Sequence, residues 1–232
     1  SNAGNPYFID LDDLCDEGYL EKEEYVNENY GTDVNCVDYA QIYNTRFTVL
    51  RKAVERLSAV QPEDYLSFLR DNAYWLNDYA LFMAEKDDHK GQAYTTWEED
   101  IRKHDTKTLE NERVRLQKNV EFYLGLQYFF FHQWKKMREY GRKHGVYLIG
   151  DVPIYVSPDS SDIWGNPEFF QLDEDMKLTG VAGCPPDAFS ADGQLWGNPL
   201  YNWDKMKDDD YIHLHRTKQH FAVHRIFSFE EQ

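Results

Sequence analysis

The chain has 232 residues, which is long enough for a domain whose core needs no metal or disulfide to hold it together. It carries 25 Lys and Arg against 42 Asp and Glu, a formal net charge of −17. This charge repels phosphate backbones and anionic lipid, so we expect no nucleic-acid and no membrane partner. Aromatic residues make up 16% of the sequence, which excludes a disordered chain and suits a sugar ligand as well as an ordinary core.

The cysteines indicate a reducing compartment. Cys15, Cys36 and Cys184 are an odd number and form no C-x-x-C pair, which argues against a disulfide framework. The apolar patch at 126–131 is far shorter than the roughly 20 residues of a membrane helix. No signal-peptide pattern is seen at the start, so we expect a cytoplasmic protein. Residues 1–3 have the sequence of an expression-tag scar and carry no argument.

Helical periodicity begins at residue 41. Apolar residues between 43 and 57 recur at spacings of three and four, which places them on one helical face; they are Tyr43, Phe47, Leu50, Val54 and Leu57. Pro62 stands where the start of the next helix tolerates it. A third apolar stripe follows, formed by Leu76, Tyr79, Ala80 and Met83. This pattern predicts several amphipathic helices.

One long helix is predicted over residues 108–142, with an apolar stripe of Leu116, Val120, Leu124 and Tyr128. Gly145 caps it, and VYLIGD at 146–151 then has the pattern of a buried strand that ends in Asp151. This order of a helix, a glycine, a strand and an acidic residue is typical of proteins with a parallel α/β sheet. In such proteins, ligands bind at the C-terminal ends of the strands. Asp151 is therefore a candidate ligand-binding residue, with a turn or cap aspartate as the alternative.

Residues 152–204 are rich in Pro, Gly, Asp and Ser, a composition typical of functional loops. Within the segment 181–203, Pro185 and Pro186 stiffen a polar stretch that holds four aromatic residues, Phe189, Trp196, Tyr201 and Trp203. Rings on a stiff polar loop predict a stacking platform for a ligand. A small private core of the loop fits the same residues equally well.

Three further features favour structural interpretations. Four histidines near an acidic run (His213, His215, His220 and His224) form no recognised metal motif, so solvated histidines are favoured over a metal site. Residues 172–180 lack the glycine and glutamate offsets of a calcium loop and predict a turn. Cys184 has no obvious base nearby and is interpreted as structural.

Several long motifs occur in one order along the chain: WLNDYALFMA at 75–84, GDVPIYV at 150–156, DIWGNPEFFQLDED at 162–175 and VAGCPPDAFSADGQLWGNPLYNW at 181–203. Together they resemble the amylomaltases, which are 4-alpha-glucanotransferases. The resemblance implies an α/β fold that is part of a (β/α)8 barrel with a large helical insertion, mainly helical in this fragment. It implies the insertion at 4–110, a barrel helix, strand and active-site loops at 111–204, and a helix with a degenerate next strand at 205–232.

The implied function is carbohydrate metabolism by retaining transfer of α-1,4-glucan segments between maltooligosaccharides, without metal or cofactor. Asp151 matches the aspartate of the family's G-D-x-P-I-Y-V motif at a strand end. The PPDAFS segment matches a loop over the active site that helps exclude water. The resemblance implies α-1,4-glucan or maltooligosaccharide contacts for Asp151, Pro186, Asp187, Phe189, Trp196, Asn198 and Arg225.

The end of the sequence departs from the family. The nucleophilic aspartate belongs to an R-I-D-H-F-R-G-F motif, and the corresponding stretch here is VHRIFSFEEQ. Arg225 matches the arginine of that motif, and Phe227 stands at the position of the nucleophile. We therefore expect no catalytic residue in this chain, inactivity of the chain alone, and a homodimer through exposed barrel surface. The alternatives are a non-catalytic glucan-binding module, with Trp164, Phe189, Trp196 and Trp203 as its platform, and a helical interaction protein.

Overall fold

The computed structural model describes residues 3–33, 35–148 and 155–212, which are mainly helical. In chain order the helices are α1 (Leu11–Asp16), α2 (Tyr39–Val60), α3 (Glu63–Asp71), α4 (Ala73–Asp88), α5 (Glu99–Arg102), α6 (Thr106–Arg115), α7 (Gln117–Lys143), α8 (Ser161–Gly165) and α9 (Trp203–Asp208). The strands are β1 (Val181–Cys184) and β2 (Gln194–Pro199). Two compact units result: the helical unit, Ala3–Ala80 with Gln117–Val146, and the hairpin unit, Leu81–Leu116 with the residues from Tyr147 onward.

The core of the helical unit lies between α2 and α7. The predicted buried face of α2 is confirmed for Leu50, Val54 and Leu57. Tyr43, near the start of the helix, is exposed instead. Gly125 of α7 allows the close approach, because a Cβ there would lie 2.7 Å from Cγ1 of Val54. The remaining buried side chains of α7 are Phe122, Tyr123, Leu126, Gln127, Tyr128 and Phe129.

The single long helix predicted over 108–142 was wrong. It is interrupted at Leu116, whose backbone leaves the helical conformation at φ −100° and ψ 15° and separates α6 from α7. The amide of Leu116 still donates to the carbonyl of Glu112, at 2.8 Å, so the break leaves that group satisfied. Because the apolar spacing continues through Leu116, periodicity contains no trace of the interruption.

The strand predicted at 146–151 was wrong over its described part. Val146, Tyr147 and Leu148 belong to no regular element and are exposed. A strand requires a hydrogen-bonded neighbour, and the sheet of the described chain consists of β1 and β2 alone. Several predicted features lie outside the described residues. They are Asp151, Arg225, Phe227, the four C-terminal histidines and the part of the segment 205–232 that follows residue 212.

Trp164 anchors the core of the hairpin unit. Its side chain is fully buried, and its Nε1 donates to the carbonyl of Ile101 at 2.8 Å. The rings of Phe82 and Trp97 lie 5.7 Å and 6.1 Å from it. The proposal of Trp164 as part of an exposed platform was therefore wrong. Within 3–33, 35–148 and 155–212, the helices are too short or too polar to span a membrane.

Candidate functional site

The sequence segment 181–203 folds into an antiparallel hairpin of β1 and β2. Gly183 pairs with Leu195 and Cys184 with Gln194, and an irregularity lies between Val181 and Gly183. Gly193 closes the hairpin loop in the left-handed region, at φ +72°. A Cβ at that position would lie 2.6 Å from the carbonyl oxygen of Cys184, so the loop requires glycine there.

Asp187 organises the loop that joins the two strands. One of its carboxylate oxygens, Oδ1, accepts hydrogen bonds from the amides of Phe189 (2.9 Å) and Ser190 (2.8 Å). The Asp187 amide donates to the carbonyl of Ser190, and the Ser190 hydroxyl donates to the carbonyl of Gly193 at 2.7 Å. Pro186 fixes the backbone directly before this turn. The loop therefore has a defined shape without a ligand.

The four aromatic residues of the segment separate into exposed and buried rings. Phe189 is 96% exposed, Trp203 56% and Trp196 47%. Trp196 is oriented by a hydrogen bond from its Nε1 to Oε1 of Gln194, at 3.0 Å, and by an edge contact with Tyr155. Tyr201 is buried, with its ring centroid 5.3 Å from that of Phe170. Three of the four rings are thus exposed, and one belongs to a private core of the segment. Stacking of a ligand on the exposed rings stays a prediction.

Asn198 connects the hairpin to the last residue of the G-D-x-P-I-Y-V motif. Its Nδ2 donates to the carbonyl of Val156 at 3.0 Å. The structure thus brings five of the seven predicted glucan contacts to one hairpin, namely Pro186, Asp187, Phe189, Trp196 and Asn198. Sequence reasoning missed the supporting residues Tyr155 and Gln194, since only the folded hairpin shows that they touch Trp196.

The turn predicted at 172–180 is confirmed. Leu172 and Leu178 form an antiparallel bridge. Oδ1 of Asp173 accepts hydrogen bonds from the amides of Asp175 and Lys177, each at 2.9 Å. The carboxylate is therefore occupied by its own turn, as an Asx turn requires.

A second polar group, which sequence reasoning also missed, lies at the end of α4. Glu85, Asp88 and His89, here called the α4 cluster, place one ligand atom each within 4.8 Å of one another. Glu85 is fully buried. Burial, followed by the negative charge of Glu112, raises the pKa of Glu85 to about 7. The spacing i, i+3, i+4 was visible in the sequence, but the burial of Glu85 was not.

Comparison with known proteins gives consistent matches. A family model described as 4-alpha-glucanotransferase matches residues 1–226. The chain is 41% identical over 210 residues to a 4-alpha-glucanotransferase of Clostridium butyricum, covering 90% of this chain and 43% of that protein. It is 39% identical over 235 residues to one of Thermus thermophilus, covering 98% and 46%. The chain thus spans less than half the length of these relatives.

Solved structures show the same relationship. The amylomaltase from Streptococcus agalactiae in complex with acarbose superposes with a TM-score of 0.86 and 39% identity, over 94% of this chain and 44% of that one. The amylomaltase from Corynebacterium glutamicum, at 20% identity and a TM-score of 0.67 over 94% and 30%, shares the fold. The expected fold class is confirmed, since the chain is a mainly helical segment that matches part of an amylomaltase. On these matches, the chain belongs to the 4-alpha-glucanotransferase family.

Proposed function

We propose that this chain forms part of the glucan groove of an enzyme that transfers α-1,4-glucan segments between maltooligosaccharides. The observation that carries the proposal is the hairpin, which holds the rings of Phe189 and Trp196 out to solvent on a loop of fixed shape. The face of a pyranose ring is apolar enough to stack on exposed aromatic rings. The acarbose bound by the Streptococcus agalactiae amylomaltase supports an oligosaccharide as the ligand.

The residues of the hairpin have different tasks in this proposal. Phe189 and Trp196 contact the sugar, because their rings face outward. Asp187 and Asn198 keep the loop and strand in place through their hydrogen bonds to backbone groups. Pro186 limits the loop backbone, so less conformational entropy is lost when a glucan binds. Asp151 and Arg225 stay predictions from the family motifs.

The proposed reaction retains the configuration at the anomeric carbon. A carboxylate attacks that carbon and forms a glycosyl ester while a carboxylic acid protonates the departing glucan; a sugar hydroxyl then replaces the carboxylate. A loop that excludes water favours transfer over hydrolysis, since both acceptors compete for the same intermediate. Phe227, at the position aligned with the nucleophile, has no oxygen for the first step. We therefore propose that the chain binds glucan but forms no glycosyl enzyme alone.

The test combines a binding and a turnover measurement on the 232-residue chain. Calorimetric titration with acarbose should show binding, and Phe189→Ala and Trp196→Ala should each weaken it by about tenfold, the effect of losing roughly 1.4 kcal/mol of ring contact. Phe8→Ala is the matched control, because Phe8 is an exposed ring of the helical unit. Incubation with maltotriose, followed by chromatography, should yield no glucose and no ladder of longer glucans.

Binding without transfer is also what a non-catalytic glucan-binding module would show, whereas two other results would contradict the proposal. A ladder of glucans would contradict the role assigned to Phe227 and require carboxylates that the family motifs do not identify. Absence of both binding and transfer in a folded chain would favour the helical interaction protein. The same proposal includes a homodimer and a reducing compartment, the latter supported by the free state of Cys15, Cys36 and Cys184. Light scattering of the purified chain tests the dimer.

A further inference from the structure

The end of α4 presents three potential metal ligands on one side, two carboxylates and one imidazole. Glu85 and Asp88 belong to that turn and His89 follows directly, at the i, i+3 and i+4 positions that share a helical face. One oxygen or nitrogen of each lies within 4.8 Å of the others. Donors around one four-coordinate ion, each about 2 Å from it, lie roughly 3 to 4 Å apart. Small side-chain rotations would therefore bring the α4 cluster to coordination distance.

Glu85 gives an independent indication that this position suits a cation. Its side chain has 0% exposure, and within the described residues neither carboxylate oxygen accepts a hydrogen bond of good geometry. A second acid, Glu112, interacts with it and adds negative charge. Nδ1 of His89 and Nη2 of Arg115 lie 3.5 Å and 3.6 Å from Oε2 of Glu85, beyond good hydrogen-bonding geometry. A buried carboxylate without donors is costly, and a bound cation would remove that cost.

The ring of His89 is held beside the carboxylate of Glu85 by its neighbours. Its ring stacks on Trp97 at 4.9 Å between centroids. Nε2 contacts Oε2 of Glu98 at 2.8 Å, while Nδ1 faces the carboxylate of Glu85. Metal-bound histidines commonly donate their other ring N–H to a carboxylate, which fixes the tautomer and raises the basicity of the ligating nitrogen. Glu98 is placed to accept that proton.

We propose that the α4 cluster is a binding site for a divalent transition-metal ion of the zinc class, ligated by Glu85, Asp88 and Nδ1 of His89. The imidazole favours such ions over Mg²⁺ and Ca²⁺, which prefer all-oxygen sites. The position also favours a cation, since the carboxyl end of a helix carries partial negative charge. Nδ1 now contacts the backbone carbonyl of Glu85 at 2.8 Å. Binding through Nδ1 therefore needs a small rotation of the ring toward the ion, and any proton on Nδ1 is released to solvent.

Arg115 is the group that competes with the ion. Its Nη2 lies 2.9 Å from Oδ2 of Asp88, and its Nε donates to Glu112 at 2.6 Å. The guanidinium is half-exposed, so it can turn to solvent when a dication takes its place. Replacing it removes a positive charge next to the site. Arg115→Gln should therefore bind the metal more tightly, a response that unrelated surface carboxylates would not show.

The experiment is a competition for Zn²⁺ between the full chain and a chromogenic chelator. It uses a background in which four C-terminal histidines are alanine, so that they contribute no binding: His213, His215, His220 and His224. We expect one Zn²⁺ per chain, loss of at least tenfold in affinity with Asp88→Asn or His89→Ala, and about tenfold with Glu98→Gln. Glu99→Gln, an exposed neighbour paired with Lys103, is the matched control and should leave the affinity unchanged.

Circular dichroism of each variant establishes that it folds. If His89→Ala unfolds, Asp88→Asn decides the matter alone, because Asp88 is exposed and its loss leaves the core intact. Co²⁺ substitution should give visible d–d absorption bands that disappear in the same variants. The proposal is overturned if no stoichiometric Zn²⁺ binds, if Asp88→Asn binds as tightly as its parent, or if Arg115→Gln weakens the affinity.

Discussion

Replacing Gln127 with Leu should destabilise the helical unit severely. Gln127 lies fully buried on α7 and forms a two-bond clamp on the backbone of Gly4: the Gly4 amide donates to its Oε1 at 2.7 Å, and its Nε2 donates to the Gly4 carbonyl at 3.0 Å. Nε2 also contacts the hydroxyl of Tyr79 at 3.3 Å. Leucine has a similar volume, so the substitution removes the hydrogen bonds without opening a large cavity.

The magnitude follows from the groups left behind. The amide and carbonyl of Gly4 are buried and would lose their partners, at about 1–3 kcal/mol each. The space next to Gly4 offers no room for water, because a Cβ there would overlap the ring of Phe130. We expect the free energy of unfolding to fall by about 3 kcal/mol. For a chain of this size that corresponds to about 6–12 °C in Tm.

Gln133 provides the matched control, because it makes the same two bonds further along α7. Its Oε1 accepts from the amide of Asp10 at 2.7 Å and its Nε2 donates to the carbonyl of Asp10 at 2.9 Å, but Asp10 is exposed. Water can replace these bonds, so Gln133→Leu should cost less than about 1 kcal/mol. Urea denaturation of both variants, followed by circular dichroism, measures the difference. Equal losses, or a loss below about 0.5 kcal/mol for Gln127→Leu, would refute the reasoning.

Two further predictions concern charge and backbone conformation. Hydrogen bonds from Arg56, followed by one from the backbone of Glu21, lower the pKa of Glu24 to about 2. The pair of Glu24 and Arg56 therefore stabilises the fold above the ordinary glutamate pKa. This contribution is lost as the pH falls from about 5 to 2. Glu24→Gln should remove this pH dependence, which amounts to about 1 kcal/mol after solvent screening. Urea titrations at pH 6 and pH 3 measure it. An equal change in the free energy of unfolding between the two pH values in both proteins would contradict the prediction. Gly193→Ala should destabilise the hairpin loop by about 1–2 kcal/mol through its left-handed φ alone, and by more through the clash with the carbonyl oxygen of Cys184. We expect the variant to lose acarbose affinity in calorimetric titration while circular dichroism shows unchanged helicity.

The sequence predicted the long amphipathic elements well and their interruptions poorly. The buried face of α2 at Leu50, Val54 and Leu57 was predictable, because a period of 3.6 extends over many residues there. The break at Leu116 was not, since its cause is a local backbone conformation within a continuous apolar pattern. The described part of the predicted strand at 146–151 failed for another reason. An apolar run shows that a segment could form a buried strand, but the strand forms only where neighbouring strands pair with it.

The candidate site divides in the same way. Pro, Gly and aromatic composition identified the segment 181–203, because loops that need fixed shapes require these residues. Which rings would face solvent was beyond sequence, as the buried Trp164 and the exposed Phe189 occur in equally polar surroundings. The burial of Glu85 was equally hidden, since helix spacing shows which residues are neighbours but not what packs over them.

The hairpin allows one last distinction, between glucan contact and loop order at Asp187. Its Oδ1 accepts from the amides of Phe189 and Ser190, a task that an asparagine oxygen can perform as well. If Asp187 acts by holding the loop, Asp187→Asn should retain acarbose affinity within about twofold, whereas Asp187→Ala loses both hydrogen bonds and should bind several-fold more weakly. If instead its charge contacts the sugar, both variants lose affinity alike. Calorimetric titration of the two variants with acarbose separates these hypotheses. Equal losses of affinity would show that Asp187 contacts the sugar directly, as the family motif implied.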